Sequence, residues 1–332
     1  MRLPQRFFRL PVRFDASRLQ AEVEALPPEA WTPHPTGEPG NSAVRLITVQ
    51  GGPNDRLDGA MAMTGSLERS PYIRQVLASF GVVWSRSRLL RLAPGAVVTA
   101  HSDIHHHWFF RVRMHVPITT RPEVRFTCDG ESVHMAAGES WIFDNWRVHS
   151  VQNPTASDRV HLVADTSGTA AFWELVARGQ DADAPIEYRA YDAARSDTPL
   201  MEQTLPSRVM PPSEMELLIL DMRSELVTQA ESAEQRARLT KYHALLLRLT
   251  RDWRQLYQLH GEDPQGWEAY ATLRDAVRER SHAIASGIVM RSNQSGAHKV
   301  LEARIFKACL TPQARADESA HDLTAARPQP TL

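Results

Sequence analysis

Between Arg91 and Asp165 the chain carries residue types whose spacing can do chemistry. An H-x-D tripeptide stands at His101-Ser102-Asp103, a single histidine follows at His149, and an arginine stands ten residues beyond it at Arg159. Two imidazoles and one carboxylate on one face of a metal are the donor set of a mononuclear non-haem iron(II) site with open positions. On a strand, side chains at i and i+2 share a face, so His101 and Asp103 aim the same way. His149 comes after enough chain for several strand crossings to return to the same end of a barrel. A lone H-x-D occurs by chance; the later histidine, the arginine and the strand pattern around them give it weight.

A second signature is Arg111-Val112-Arg113-Met114-His115. On a strand, positions 111, 113 and 115 share one face, and burying three such side chains together is costly unless the interior holds anions. A 2-oxoglutarate dianion would supply two carboxylates and an acidic substrate more. Arg159 adds a fixed bidentate carboxylate partner. The competing reading has one or two of these arginines reach solvent, or pair with Asp144, Asp158 or Asp165. Arg91 is a further candidate for a substrate anion. His105, His106 and His107 alternate in direction on a strand and do not readily ligate one ion, so they are read as a loop at the pocket rim, with His107 in reach of substrate. Trp108, Phe109, Trp141 and Trp146 are core by default, with Trp146 or Trp108 as candidates for the pocket wall. His134 and His161 are read as plain strand residues.

The elements that must hold these residues follow from patterning. From Val82 onward short strands alternate with turn signals at Pro94-Gly95, Asp129-Gly130 and Gly138, the pattern of an antiparallel sandwich or barrel. The expected fold class is mainly β with α: a double-stranded β-helix, or jelly roll, with N-terminal flanking helices and a C-terminal all-helical region. Before it, Arg6 to Phe14 reads as a strand and Asp15 to Leu26 as a helix capped by Asp15 and stopped by Pro27-Pro28. WTPHPTGEPGN reads as loop, and Pro71 to Phe80 as a short helix. The expected divisions are a barrel domain at 1–175, a linker at 176–213, a helical domain at 214–310 and a disordered tail at 311–332.

Composition removes several function classes. A net charge of −1 and a pI near 6.9 give no general polyanion-binding surface, so nucleic acid is not an expected partner. No window approaches the roughly 18 apolar residues of a membrane span, and the basic N-terminus lacks the features of a secretory signal. Two isolated cysteines, Cys128 and Cys309, form no disulfide framework and suit a reducing cytoplasm.

The segments RLLRLAPGAVVTAHSD, RVRMHVPITT, GESWIFDNWRVHSVQN and RVHLVAD, within about Asn41 to Gly168, resemble the aspartyl/asparaginyl β-hydroxylase family of iron(II)/2-oxoglutarate dioxygenases, to which bacterial proline hydroxylases are related. The resemblance does not extend over Glu214 to Leu332. It implies that His101, Asp103 and His149 bind iron(II), and that Arg159 binds the distal carboxylate of 2-oxoglutarate. Arg113 and His115 would lie at its near carboxylate or at the substrate's, and Arg91, Arg111, His107 and Trp146 are the candidates for substrate contact. Animal members have glycine where this chain has Asp103, a departure that brings it closer to the proline hydroxylases and argues for hydroxylation over halogenation. The implied reaction uses O2 and a small-molecule or peptide substrate carrying a carboxylate, with Asp/Asn β-hydroxylation first and proline-type hydroxylation second. A metal- or anion-binding jelly roll that acts through its helical region without turnover is the alternative. Leucine stripes after Glu214 are read first as core and second as a homodimer surface.

Overall fold

The structure, a computed structural model, describes residues 1–205 and 207–311. Beyond Thr311, the tail expected to be disordered lies outside the described residues. The principal strands are β1 (Phe7–Phe14), β2 (Asn41–Val49), β3 (Val83–Leu92), β4 (Val97–His101), β5 (Val112–Thr119), β6 (Arg125–Cys128), β7 (Glu131–Val133), β8 (Glu139–Phe143), β9 (His149–Gln152) and β10 (Arg159–Thr166). One sheet runs β1-β8-β5-β10-β3-β2 and a second runs β4-β9-β6-β7. From β3 to β10 the chain therefore crosses repeatedly between two facing antiparallel sheets, which is the double-stranded β-helix expected from the strand pattern.

Period-2 alternation decides what each face of the large sheet holds. In β5, Val112, Met114, Val116 and Ile118 join a core on the outer face. Leu19 and Val23 of the helix Ala16–Glu24, and Phe172, Leu175 and Val176 of the helix Ala170–Arg178, complete that core. Val160, Leu162 and Ala164 of β10 do the same, leaving Arg159, His161, Arg113 and His115 for the other face. The first helix is capped as expected, Asp15 accepting from the Arg18 backbone N–H at 3.1 Å. Its buried Glu22 in turn accepts from the backbone N–H groups of Tyr72 and Ile73, at the start of the helix Pro71–Ala78.

Two compact units are present, the first comprising residues 1–103 and 107–205, the second residues 104–106 and 207–311. This corrects the expected linker at 176–213. Glu187–Arg189 pairs with β1 in parallel, and Leu200–Met201 pairs with the start of β3. The Pro, Asp and Arg content of that stretch signals irregularity, but open strand backbone gives it hydrogen-bond partners. In the second unit the helices are Pro212–Glu225, Ala233–His260 and Trp267–Ile284, around buried Leu218, Met222, Leu246, Trp253, Tyr270 and Phe306. It is not purely helical: Leu226–Thr228 pairs antiparallel with Ile288–Met290, short runs rich in β-branched residues. Leu217, Leu220 and Leu259 are exposed rather than core. Among the described residues, no helix is long and apolar enough to cross a membrane.

Gly138 ties the sheet to β1. Its φ is +80°, its N–H donates to the Pro117 carbonyl at 2.8 Å, and its own carbonyl accepts from Phe14 N–H at 2.8 Å. A Cβ there would lie 2.4 Å from the Phe14 carbonyl oxygen. Gly138→Ala is therefore expected to lower unfolding stability by about 2 kcal/mol, read from denaturant melts; an unchanged midpoint would contradict this packing.

Candidate metal and anion site

β4 and β9 are antiparallel neighbours, and His149 sits in register opposite His101. Asp103 lies just past β4, where its backbone N–H donates to the Asn145 carbonyl at 2.9 Å. The ligand atoms of His101, Asp103 and His149 all lie within 4.8 Å of one another, and among the described residues this is the one such group. The Nδ1 atoms of His101 and His149 lie 2.7 Å from the Thr99 carbonyl and 2.9 Å from the Arg147 carbonyl. A carbonyl only accepts, so both rings carry a proton on Nδ1, and Nε2 is the nitrogen left for a metal. His149 is buried against Phe143 and Phe126, and this burial pushes its pKa down to about 4. It is thus neutral at pH 7, the state that ligates.

Beside this group is a cavity of about 400 Å³ bordered by His101, His149, Arg91, Arg113, His115 and Arg159. Arg159, at the start of β10, is 4% exposed and makes no ion pair among the described residues. Its NH2 group donates to His161 Nδ1 at 2.8 Å, and its Nε has no partner. Burial lowers its pKa to about 9, which leaves it charged at pH 7. An interior guanidinium without a counter-ion costs several kcal/mol, and a carboxylate is its natural complement. His115 sits beside it with an unpartnered Nε2. Burial, followed by the charges of Arg159 and Arg113, holds His115 well below the usual histidine range, and His161 is held down by burial and Arg159.

Deeper in the wall, Asp165 organises a charge cluster. Arg113 donates to it twice, Nε to Oδ1 at 2.9 Å and NH2 to Oδ2 at 3.3 Å, and His107 Nε2 donates to Oδ2 at 3.2 Å. Arg113 also lies over the Trp108 ring at 4.3 Å. Burial alone would raise the Asp165 pKa; the Arg113 charge, the His107 hydrogen bond and Arg86 outweigh it and hold the carboxyl far below its usual range.

Both histidines of the expected metal group, with Arg113, His115, Arg159 and Arg91, thus fall around one cavity. Arg91 also lies over Trp31 and donates to Ser42 Oγ at 3.2 Å. Three expected substrate contacts do not border the cavity. Arg111 precedes β5, so the strand's alternation does not reach it, and it pairs with Glu202. His107 falls in a short helix, His106–Phe109, and turns inward onto Asp165. His106, expected at a rim, bonds Glu214 at 2.6 Å. Trp146 is buried in the turn between β8 and β9. The sequence reading also missed His34, Thr36, Glu38 and Asn41, which border the cavity from the Pro/Gly-rich loop and the first residue of β2. Glu38 accepts from the backbone N–H of Thr99 at 2.8 Å and from its hydroxyl, fastening that loop beside His101. Burial, then the charges of Arg88, Arg113 and Arg86, lowers the His34 pKa to about 4. No sequence signal marks this loop.

Asp165→Asn strips Arg113 of its counter-charge and is expected to cost about 3–5 kcal/mol in urea unfolding at neutral pH. The Asp165 pKa is depressed on folding, so its contribution is complete above the unfolded value of about 3.9 and declines as the pH falls below it. Wild type and variant should therefore converge in acid; equal stability at neutral pH, or a gap that persists undiminished in acid, would contradict the assignment.

A sequence profile of aspartyl/asparaginyl β-hydroxylases matches residues 58–168. L-proline cis-3-hydroxylase 1 from Streptomyces sp is 29% identical over 143 residues, covering 40% of this chain and 48% of that protein, so the chain spans about half the length of this curated relative. Among solved structures, an oxidoreductase of the 2OG-Fe(II) oxygenase family from Burkholderia pseudomallei is similar at 16% identity and a TM-score of 0.36, over 46% of this chain and 78% of that one. A Pseudomonas putida prolyl-4-hydroxylase is similar at 14% identity and a TM-score of 0.33, over 50% of this chain and 95% of that one. Superpositions this loose carry no argument about the site.

Proposed function

We propose that this chain, whose residues 58–168 match the aspartyl/asparaginyl β-hydroxylase profile, is an iron(II)- and 2-oxoglutarate-dependent dioxygenase that hydroxylates an amino acid or an amino-acid residue of a peptide. The observation that carries the reading is the pairing of a two-histidine, one-carboxylate group with a buried arginine that has no carboxylate of its own. His101, Asp103 and His149 would hold the metal, and their chemistry fits it: two imidazoles with Nδ1 fixed by backbone carbonyls, and one carboxylate. Iron(II), with 2-oxoglutarate and O2, supplies the oxidising power that an unactivated C–H bond needs.

The chain's own residues bind, orient and keep the cavity dry. Arg159 would take the distal carboxylate of 2-oxoglutarate through its fork of N–H donors. Arg113 and His115 would lie at the near carboxylate or at the substrate's, with Arg113 supplying the charge. Leu92, Phe126, Phe143 and Val151 give the cavity an apolar side, which would disfavour water beside the metal group. With Asp103 as the third ligand the metal would keep its carboxylate, which favours hydroxylation over halogenation.

Asp/Asn β-hydroxylation is the first reading of the substrate, on the strength of the cationic wall. Proline-type hydroxylation is the second, favoured by the Streptomyces relative. The two cysteines, both buried and neither in a disulfide, would suit a cytoplasmic setting.

The test is succinate release from 2-oxoglutarate with iron(II), screened over amino acids and short peptides, with mass spectrometry for a product one oxygen heavier. His101→Ala and His149→Ala should lower turnover by more than about a hundredfold, the upper end for losing an outer partner of a metal ligand. Arg159→Ala should raise the KM for 2-oxoglutarate by roughly tenfold to a hundredfold. Full turnover in the histidine variants would overturn the site. Metal and 2-oxoglutarate binding with no turnover on any substrate would favour a non-catalytic jelly roll.

A further inference from the structure

Along the inward face of β10, Arg159, His161, Val163 and Asp165 follow at every second residue. Asp165 and His161 each bond an arginine, and they differ in charge. Asp165 gives Arg113 a carboxylate. His161 gives Arg159 an imidazole: its Nδ1 lies 2.8 Å from the guanidinium NH2, and among the described residues it is the one acceptor bonded to that arginine. Arg159 and His161 are both buried, and no charged neighbour offsets the burial of the guanidinium.

Which nitrogen of His161 carries the proton follows from its partner. A guanidinium only donates, so Nδ1 accepts and the ring proton sits on Nε2. Burial and the Arg159 charge hold His161 well below the usual histidine range, so it is neutral at pH 7 and the acceptor persists. On the other side the His115 ring meets it edge-on, with centroids 5.6 Å apart, and limits its rotation. The Nε2 of His161 has no partner among the described residues. A buried N–H left unmet is a cost that an apolar side chain at 161 would avoid, so packing alone does not account for a histidine there.

We propose that His161 is a positioning residue for the cavity's anion receptor, a neutral acceptor that holds the Arg159 guanidinium in place while leaving its positive charge for a ligand carboxylate. A carboxylate at 161 would orient the guanidinium equally well but would cancel its charge, as Asp165 does for Arg113. An apolar residue would preserve the charge but release the geometry. The proposal rests on the dioxygenase reading for naming 2-oxoglutarate as the anion. It goes beyond that reading in giving a role to a histidine that does not itself border the cavity and that the sequence marks only as a strand residue.

The experiment compares His161→Asn, His161→Asp and His161→Leu in the full chain. Calorimetry follows binding of 2-oxoglutarate with iron(II) under anaerobic conditions, and of glutarate without metal. Asn and Asp carry Oδ1 on Cγ as histidine carries Nδ1, so both can take the Arg159 bond. His161→Asn should bind both probes within about threefold of wild type, since it keeps the neutral acceptor. His161→Leu should weaken both about tenfold, the size of one charged hydrogen bond. His161→Asp should weaken both about a hundredfold or more yet melt at or above wild type, because the buried guanidinium gains a counter-ion. With a substrate that supports succinate release, the loss in His161→Leu should fall on the KM for 2-oxoglutarate, with kcat at saturation kept within about threefold. A histidine that serves packing alone predicts a lower melting midpoint in His161→Leu at unchanged affinity, and His161→Asp binding as well as His161→Asn. Either result would overturn the proposal, and should His161→Leu not fold, the contrast of Asn with Asp decides it. If wild type binds glutarate but takes 2-oxoglutarate no tighter with iron(II), the dioxygenase reading falls and the glutarate series still decides His161. If it binds neither, both fall.

Discussion

A slip of one residue between β4 and β9 would turn His149 to the far face of its sheet, because side chains alternate with a period of two. Everything in the proposed chemistry hangs on that register. His149 opposite His101 brings two imidazoles together with ring centroids 4.3 Å apart, and the step past β4 adds the carboxylate of Asp103. The strand pair is short, so its register is held from both sides. β9 also pairs with β6, with His149 against Cys128 and Val151 against Phe126, and those side chains join Phe143 in a small core next to the metal group. Hydrophobic packing thus sets the geometry, and backbone carbonyls set which nitrogen faces inward.

The large sheet adds a second constraint of opposite character. Its outer face is apolar and packed on helices, so alternation forces the intervening residues of β3, β5 and β10 inward, and many of them are charged. Such an interior is tolerable only if each charge finds a partner. Asp165 serves part of the cluster and Asp55 another part. Arg159 and Arg86 are left without a carboxylate in hydrogen-bond contact, at different places in the wall. Of these two, Arg159 borders the cavity beside the metal-ligand group, where a carboxylate is its natural complement.

Much of this was legible in the residues. The H-x-D with a later histidine, the R-x-H of Arg113 and His115, and the turn signals between short strands report local geometry, and local geometry is what period-2 patterning encodes. The jelly roll followed from the same signals. Failures came where tertiary context decides. Arg111 lies one residue before its strand, and His107 lies in a helical turn that no local signal marks, so alternation misassigned both. The loop carrying His34 and Glu38 reaches the cavity through a contact with Thr99 that composition cannot announce. The segment 187–201 looks like linker because its polar, Pro-containing sequence says nothing about the open strand backbone that receives it.

The central claim is that one metal and one 2-oxoglutarate share this cavity, the second depending on the first. Anaerobic equilibrium dialysis of the full chain with iron(II) and 2-oxoglutarate tests it most directly. The account predicts one iron per chain, and 2-oxoglutarate uptake that is tight with the metal present and falls sharply when a chelator removes it. Uptake of 2-oxoglutarate indifferent to iron, or iron binding that survives the joint replacement of His101 and His149 by alanine, would contradict it.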